Sequence, residues 1–196
     1  MRWLKASIAC MVSAVLSVIG VHFVAMPTLL RYPRIEKVMD RFAFTEIVLV
    51  LFVFLAIWFF YIQWEQKRLS IIYVYLFYSV YLFLLFVVLF TKAQRYHAVR
   101  WNPLDFLQLE RVHLTEAFLN VVYFVPLGIL YGMKASFREF FISALLTIIG
   151  IETIQFVFYL GTFAVSDILL NLLGCWLGFR IWPMINAHFS VGKGQL

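Results

Sequence analysis

The sequence predicts an all-α polytopic membrane protein, a bundle of about six transmembrane helices forming a single domain over residues 1–196. Three observations carry this. First, 64% of the residues are hydrophobic and only 13% charged, with a mean hydropathy of +0.93; soluble domains carry roughly 25% charged residues. Second, apolar runs of about 20 residues recur between short charged turns, each long enough to cross a hydrocarbon core of about 30 Å. Third, no Gly/Ser-rich linker and no internal repeat divides the chain. The 2 cysteines, Cys10 and Cys175, lie inside apolar runs, which excludes a disulfide framework or a Cys-rich zinc site. In a bilayer protein the net charge of +6 points to anionic lipid headgroups and cytoplasmic flanks, not to nucleic acid.

The first apolar run covers about 4–30, beside Arg2 and Lys5. It exceeds the 7–15-residue core of a signal peptide and has no small-x-small site before Pro27, so an anchored helix is expected. Arg31 to Arg41 is a charged segment at headgroup level. A second helix over 44–64 ends in an aromatic belt from Trp58 to Trp64, and a basic turn, 65–68, leads to a third over 69–91. That third helix holds Tyr73, Tyr75, Tyr78 and Tyr81; Tyr75, Tyr78 and Ser79 are expected on one face, in aromatic packing and interface anchoring. The long loop 92–114 carries Arg95, His97, Arg100, Trp101, Asn102, Pro103 and His113; its interleaved leucines suggest an interfacial helix capping the bundle.

The fourth helix, about 115–132, carries Glu116, Asn120, Phe124, Gly128 and Gly132 at successive four-residue steps, with a kink expected at Pro126. A fifth helix is expected over 139–160 and a sixth over 165–185, joined by a turn containing Gly161, with the polar tail 186–196 outside. His22 and His188 have no evident role. Six spans put both termini on one side. The 16 Lys and Arg divide evenly between the two sides, so the positive-inside rule does not orient the chain. The almost purely basic turns near 67–68 and 134–138 favour cytoplasmic termini.

The polar residues inside the apolar runs carry the functional signal. Glu152 and Gln155 share one helix face; Asp167 and Asn171 share another, which continues through Gly174 and Gly178, a spacing that permits close helix approach. A charged group at a membrane helix centre costs roughly 2.5–3.5 kcal/mol on insertion scales, so these groups need partners or a wet cavity. Alternating helix direction brings Asn120, Glu152, Gln155, Asp167 and Asn171 to one half of the membrane, beneath the long loop. Glu152 and Asp167 fit an acid/base pair, a metal pair joined by His113 and Glu116, or groups that simply cross-link helices by hydrogen bonds. No metal-binding or cofactor motif accompanies them.

The same stretch resembles the VanZ-like family of membrane proteins. The matching motifs are Glu152-Thr-Ile-Gln155, Gly161, Ser166-Asp167, Asn171-x-x-Gly174 and Gly178, with Asn120-x5-Pro126-x-Gly128 and Arg100-Trp-Asn102-Pro103 upstream. They cover about 96–182, with the helices over 4–30 and 44–64 additional. Where many members carry an acidic residue this chain has Ala164, and it has no arginine near Gly161–Thr162. The resemblance implies a multi-pass protein of the bacterial cell membrane that modulates resistance to teicoplanin-like glycopeptides. The implied partners are membrane lipid and a lipid-linked cell-wall precursor or glycopeptide. The alternative is an intramembrane enzyme or transporter for a lipid-linked substrate, with Glu152 and Asp167 as acid/base groups. Under either reading the candidate binding residues are Arg100, Asn102, Glu116, Asn120, Glu152, Gln155, Asp167 and Asn171.

Overall fold

The computed structural model describes residues 2–30, 36–37, 39–42, 44–90, 98–107 and 111–189. Among them, six helices are long and apolar enough to cross a membrane. They are α1 (Arg2–Ile19, continuing through a π-helical turn, Gly20–Ala25, and a last turn, Met26–Leu29), α2 (Thr45–Gln66), α3 (Ile71–Phe90), α4 (Arg111–Gly132), α5 (Phe137–Val157) and α6 (Val165–His188). Two-residue strands β1 (Val99–Arg100) and β2 (Phe163–Ala164) pair in parallel. The described part of the long loop, 98–107, forms this bridge and a 3-10 turn, Asp105–Leu107, and no interfacial helix. Arg95 and His97 lie outside the described residues, as does the side chain of His113.

The chain forms two compact units, Met1–Ala93 with His188–Leu196, and Gln94–Ala187. In the first, α1 packs on α2. Its buried stripe contains Ser13, Ser17, Val21 and Thr28, and each hydroxyl donates to a carbonyl of its own helix, so no polar hydrogen is left unpaired. The two histidines that lacked a role both have partners. His22 Nδ1 pairs with Glu46 Oε1 at 3.0 Å, and His188 stacks on Trp64 at 3.7 Å while its Nε2 lies 2.9 Å from the Trp64 carbonyl oxygen. Sequence distances of 24 and 124 residues hid both pairs. On α3 the expected tyrosine face splits: Tyr78 is buried with Val74, Leu85 and Leu89, whereas Tyr75 and Ser79 are exposed. The buried residues recur at four and seven, and Tyr75 stands about 70° off the centre of that line. Tyr73 faces inward and donates to the Ala56 carbonyl at 2.8 Å.

The second unit is a three-helix packing of α4, α5 and α6. An Ser136/Glu139 capping box starts α5, satisfying two end N–H groups reciprocally. The buried line of α5 runs Phe140, Ala144, Ile148, Glu152, four apart throughout, so an apolar stripe ends in a carboxylate. Phe140 stacks on Phe179 of α6 at 4.4 Å, and the Tyr131 hydroxyl of α4 meets the Thr147 hydroxyl of α5 at 2.9 Å. α4 remains helical through Pro126.

Between α4 and α6 the backbones touch. A side-chain carbon on Gly174 would overlap the Val121 carbonyl, one on Gly178 the Val125 carbonyl, and one on Gly128 the Cys175 carbonyl. One on Gly132 would stand 2.8 Å from Trp182 Cβ. Both sequences advance in the same sense along these contacts, so the two helices run parallel, each notched by its own glycine pair into the other.

Candidate functional site at the head of α6

The site is built around the start of α6. Helix α5 ends with Tyr159 in the left-handed region at φ 56°. The Leu160 N–H donates to the Gln155 carbonyl at 2.8 Å and the Tyr159 N–H to the Phe156 carbonyl at 3.1 Å, a Schellman termination. The turn contains Gly161, as expected, but its left-handed position is taken by Tyr159. The chain then enters β2, where the Phe163 N–H donates to the Ala98 carbonyl at 3.0 Å and Ala164 stands in register with Arg100.

Asp167 follows in the first turn of α6, where unpaired N–H groups and the helix dipole favour a carboxylate by about 0.3–1 kcal/mol. Its Oδ1 accepts from Asn120 Nδ2 of α4 at 3.0 Å. Glu152 of α5, only 2% exposed, reaches the same helix end, its Oε2 accepting from the Ala164 N–H at 3.4 Å. Two acids from two helices therefore meet the N-terminus of one helix, which supplies the positive potential a buried acid requires. Gln155 is 4% exposed and lies under Gly161, whose Cβ position is 3.6 Å from Gln155 Cβ. One turn deeper, Asn171 is 2% exposed, and its buried Oδ1 has no hydrogen-bond donor among the described residues.

The remaining candidates stand at the rim. Arg100 and Asn102 are exposed, next to the largely exposed Trp101. Asn102 Oδ1 accepts from the Leu104 N–H at 3.1 Å, so this side chain shapes its own turn. Glu116 is exposed, one turn before Asn120 on α4. Among the described residues Arg100 makes no ion pair, and no group of three or more His, Cys, Asp or Glu stands close enough to hold a metal ion. Sequence reasoning missed the main-chain partners, the Ala164 N–H and the Ala98 carbonyl, which leave no side-chain signature. The Ser136-x-x-Glu139 capping box had one, a Ser followed three residues later by Glu before an apolar run.

The site residues from Arg100 onward fall within the reach of one family. Protein VanZ of Enterococcus faecium is 30% identical to the chain over 79 residues, 38% of the chain and 48% of that protein. The chain thus spans about half the length of this curated relative. No solved structure matches it. The VanZ/LLP1 family model matches residues 42–186, beginning upstream of the motif region and taking in α2 and α3 as well. With most of its length so matched, the chain belongs to the VanZ/LLP1 family.

Proposed function

We propose that the chain is a multi-pass protein of the bacterial cell membrane that lowers susceptibility to teicoplanin-type glycopeptides by binding an anionic, lipid-linked envelope component at the head of α4 and α6. The carrying observation is the intramembrane Asn120–Asp167 bond at the start of α6, beneath a loop that presents an exposed Arg100 with no ion pair among the described residues. A guanidinium recognises phosphate or carboxylate through two parallel N–H donors, and Trp101 beside it suits the membrane interface. Asn120, Asp167 and Asn171, with Glu152 and Gln155 behind them, supply the polar groups for the uncharged part of such a ligand.

The test compares teicoplanin susceptibility of cells with and without the protein, and with Arg100→Gln or Asp167→Asn in its place. Both variants are expected to return susceptibility to that of cells lacking the protein, at unchanged membrane abundance. Wild-type susceptibility with Arg100→Gln would remove the loop from the binding role. The acid/base reading, in which the protein acts on a lipid-linked substrate, draws support from the meeting of Glu152 and Asp167 at one helix end. It requires both carboxylates to be irreplaceable by their amides.

A further inference from the structure

Glu152 is buried, and its bonding gives it a task besides ligand contact. A buried main-chain N–H needs an acceptor, and Ala164 is only 3% exposed. In a self-capped helix the third helical residue would reach back to that N–H. Here the third residue is Asp167, whose Oδ1 accepts from Asn120 of α4. Glu152, from the neighbouring helix, offers an acceptor oxygen to the Ala164 N–H. The other side of Phe163–Ala164 carries β1, with Val99 opposite Phe163 and Arg100 opposite Ala164. A two-residue bridge is too short to hold itself, so its order depends on what anchors β2 from behind.

We propose that Glu152 is a positioning residue for Arg100, acting through the Ala164 N–H and the β1–β2 bridge to fix the direction in which the guanidinium faces its ligand. This rests on the reading of Arg100 as the ligand-facing cation. It makes the acceptor oxygen of Glu152, not its proton, the functional atom.

The experiment is amide hydrogen exchange on the purified full-length protein in phosphatidylglycerol/phosphatidylcholine nanodiscs, without antibiotic. Glu152→Leu removes the acceptor, and exchange across 98–101 and 163–165 should rise about tenfold or more, while 121–128 and 174–178 keep wild-type rates. Glu152→Gln keeps a carbonyl oxygen and should leave exchange at 98–101 close to wild type. Ala164→Pro deletes the donor at an extended, helix-initiating position and should reproduce the leucine variant; it also carries the test if that variant fails to fold. Uniform loosening of all four segments, equal loosening by glutamine and leucine, or unchanged exchange at 98–101 would each overturn the proposal. Because exchange is read without antibiotic, it succeeds or fails independently of the susceptibility result for Arg100→Gln. If both hold, Ala164→Pro should lose resistance to the extent that Arg100→Gln does.

Discussion

Gly174→Leu is expected to abolish the folded α4–α6 pair, whereas Gly150→Ala in the next helix should be neutral or stabilising. At Gly174 even the first side-chain carbon collides with the Val121 carbonyl and stands 3.1 Å from Phe124 Cβ, a side chain that is itself fully buried. Neither obstacle is the free end of a flexible chain, so the helices must separate. Separation breaks the contacts at Gly128 and Gly178 together. Overpacking a well-filled core costs about 1–3 kcal/mol when side chains absorb the strain. Here backbone must absorb it, and a loss of about 3 kcal/mol or more is expected, a large part of the 5–15 kcal/mol of a typical domain. Gly150 has open space around its Cβ position, so alanine there gains roughly 1 kcal/mol of helix propensity and clashes with nothing. Folded yield and detergent melting curves of the two variants test the contrast; equal behaviour would mean that α4 and α6 do not touch through these glycines.

The second large effect is expected at the Asn120–Asp167 bond. Asn120→Leu removes the amide donor from a carboxylate in a low-dielectric setting and should cost about 2 kcal/mol. Asp167→Leu strands the Asn120 amide at comparable cost. The double leucine variant should lose less than the sum, because neither member of this bond then leaves the other unsatisfied. Intramembrane hydrogen bonds couple by about 0.6 kcal/mol on average. With a carboxylate as acceptor, about 1–2 kcal/mol is expected from the double-mutant cycle. Strict additivity in denaturant unfolding would show that the bond contributes nothing and that the two side chains merely coincide.

The fold class was legible because bilayer width imposes one length on every spanning element, and the apolar runs between charged turns read it out. The helix ends were less so. α4 begins at Arg111, inside what reads as loop, because the charged residues of its first turn dilute the apolar pattern. Within the site, the residues of α4, α5 and α6 were legible by type: amides and acids on regular stripes cost too much in lipid to be accidental. Their partners were not. That Asp167 takes Asn120 depends on the register of two helices, and that Glu152 takes a main-chain N–H depends on where α5 stops. Tyr159 ends α5 in a conformation that favours glycine, with Gly161 available two residues later. The six-to-one and five-to-two bonds of the helix end place the left-handed residue at Tyr159, which local preference does not indicate.

The glycine notches also limit how this protein can move. Among the larger motions of packed helices is a ratchet by one whole turn. A one-turn slip of α6 in one direction would bring Gly178 to the place of Gly174 and Asn171 to the level of Asp167. It would equally bring Trp182 to the place of Gly178, against the Val125 carbonyl, where not even one side-chain carbon fits. A slip in the other direction brings Leu170 to the place of Gly174, against Val121. Each glycine run is two long and blocked at both ends, so the α4–α6 pair has a single detent. The Asn120–Asp167 bond rides on a stator, and any opening of the site to a ligand falls to α5, the β1–β2 bridge and the Arg100 loop.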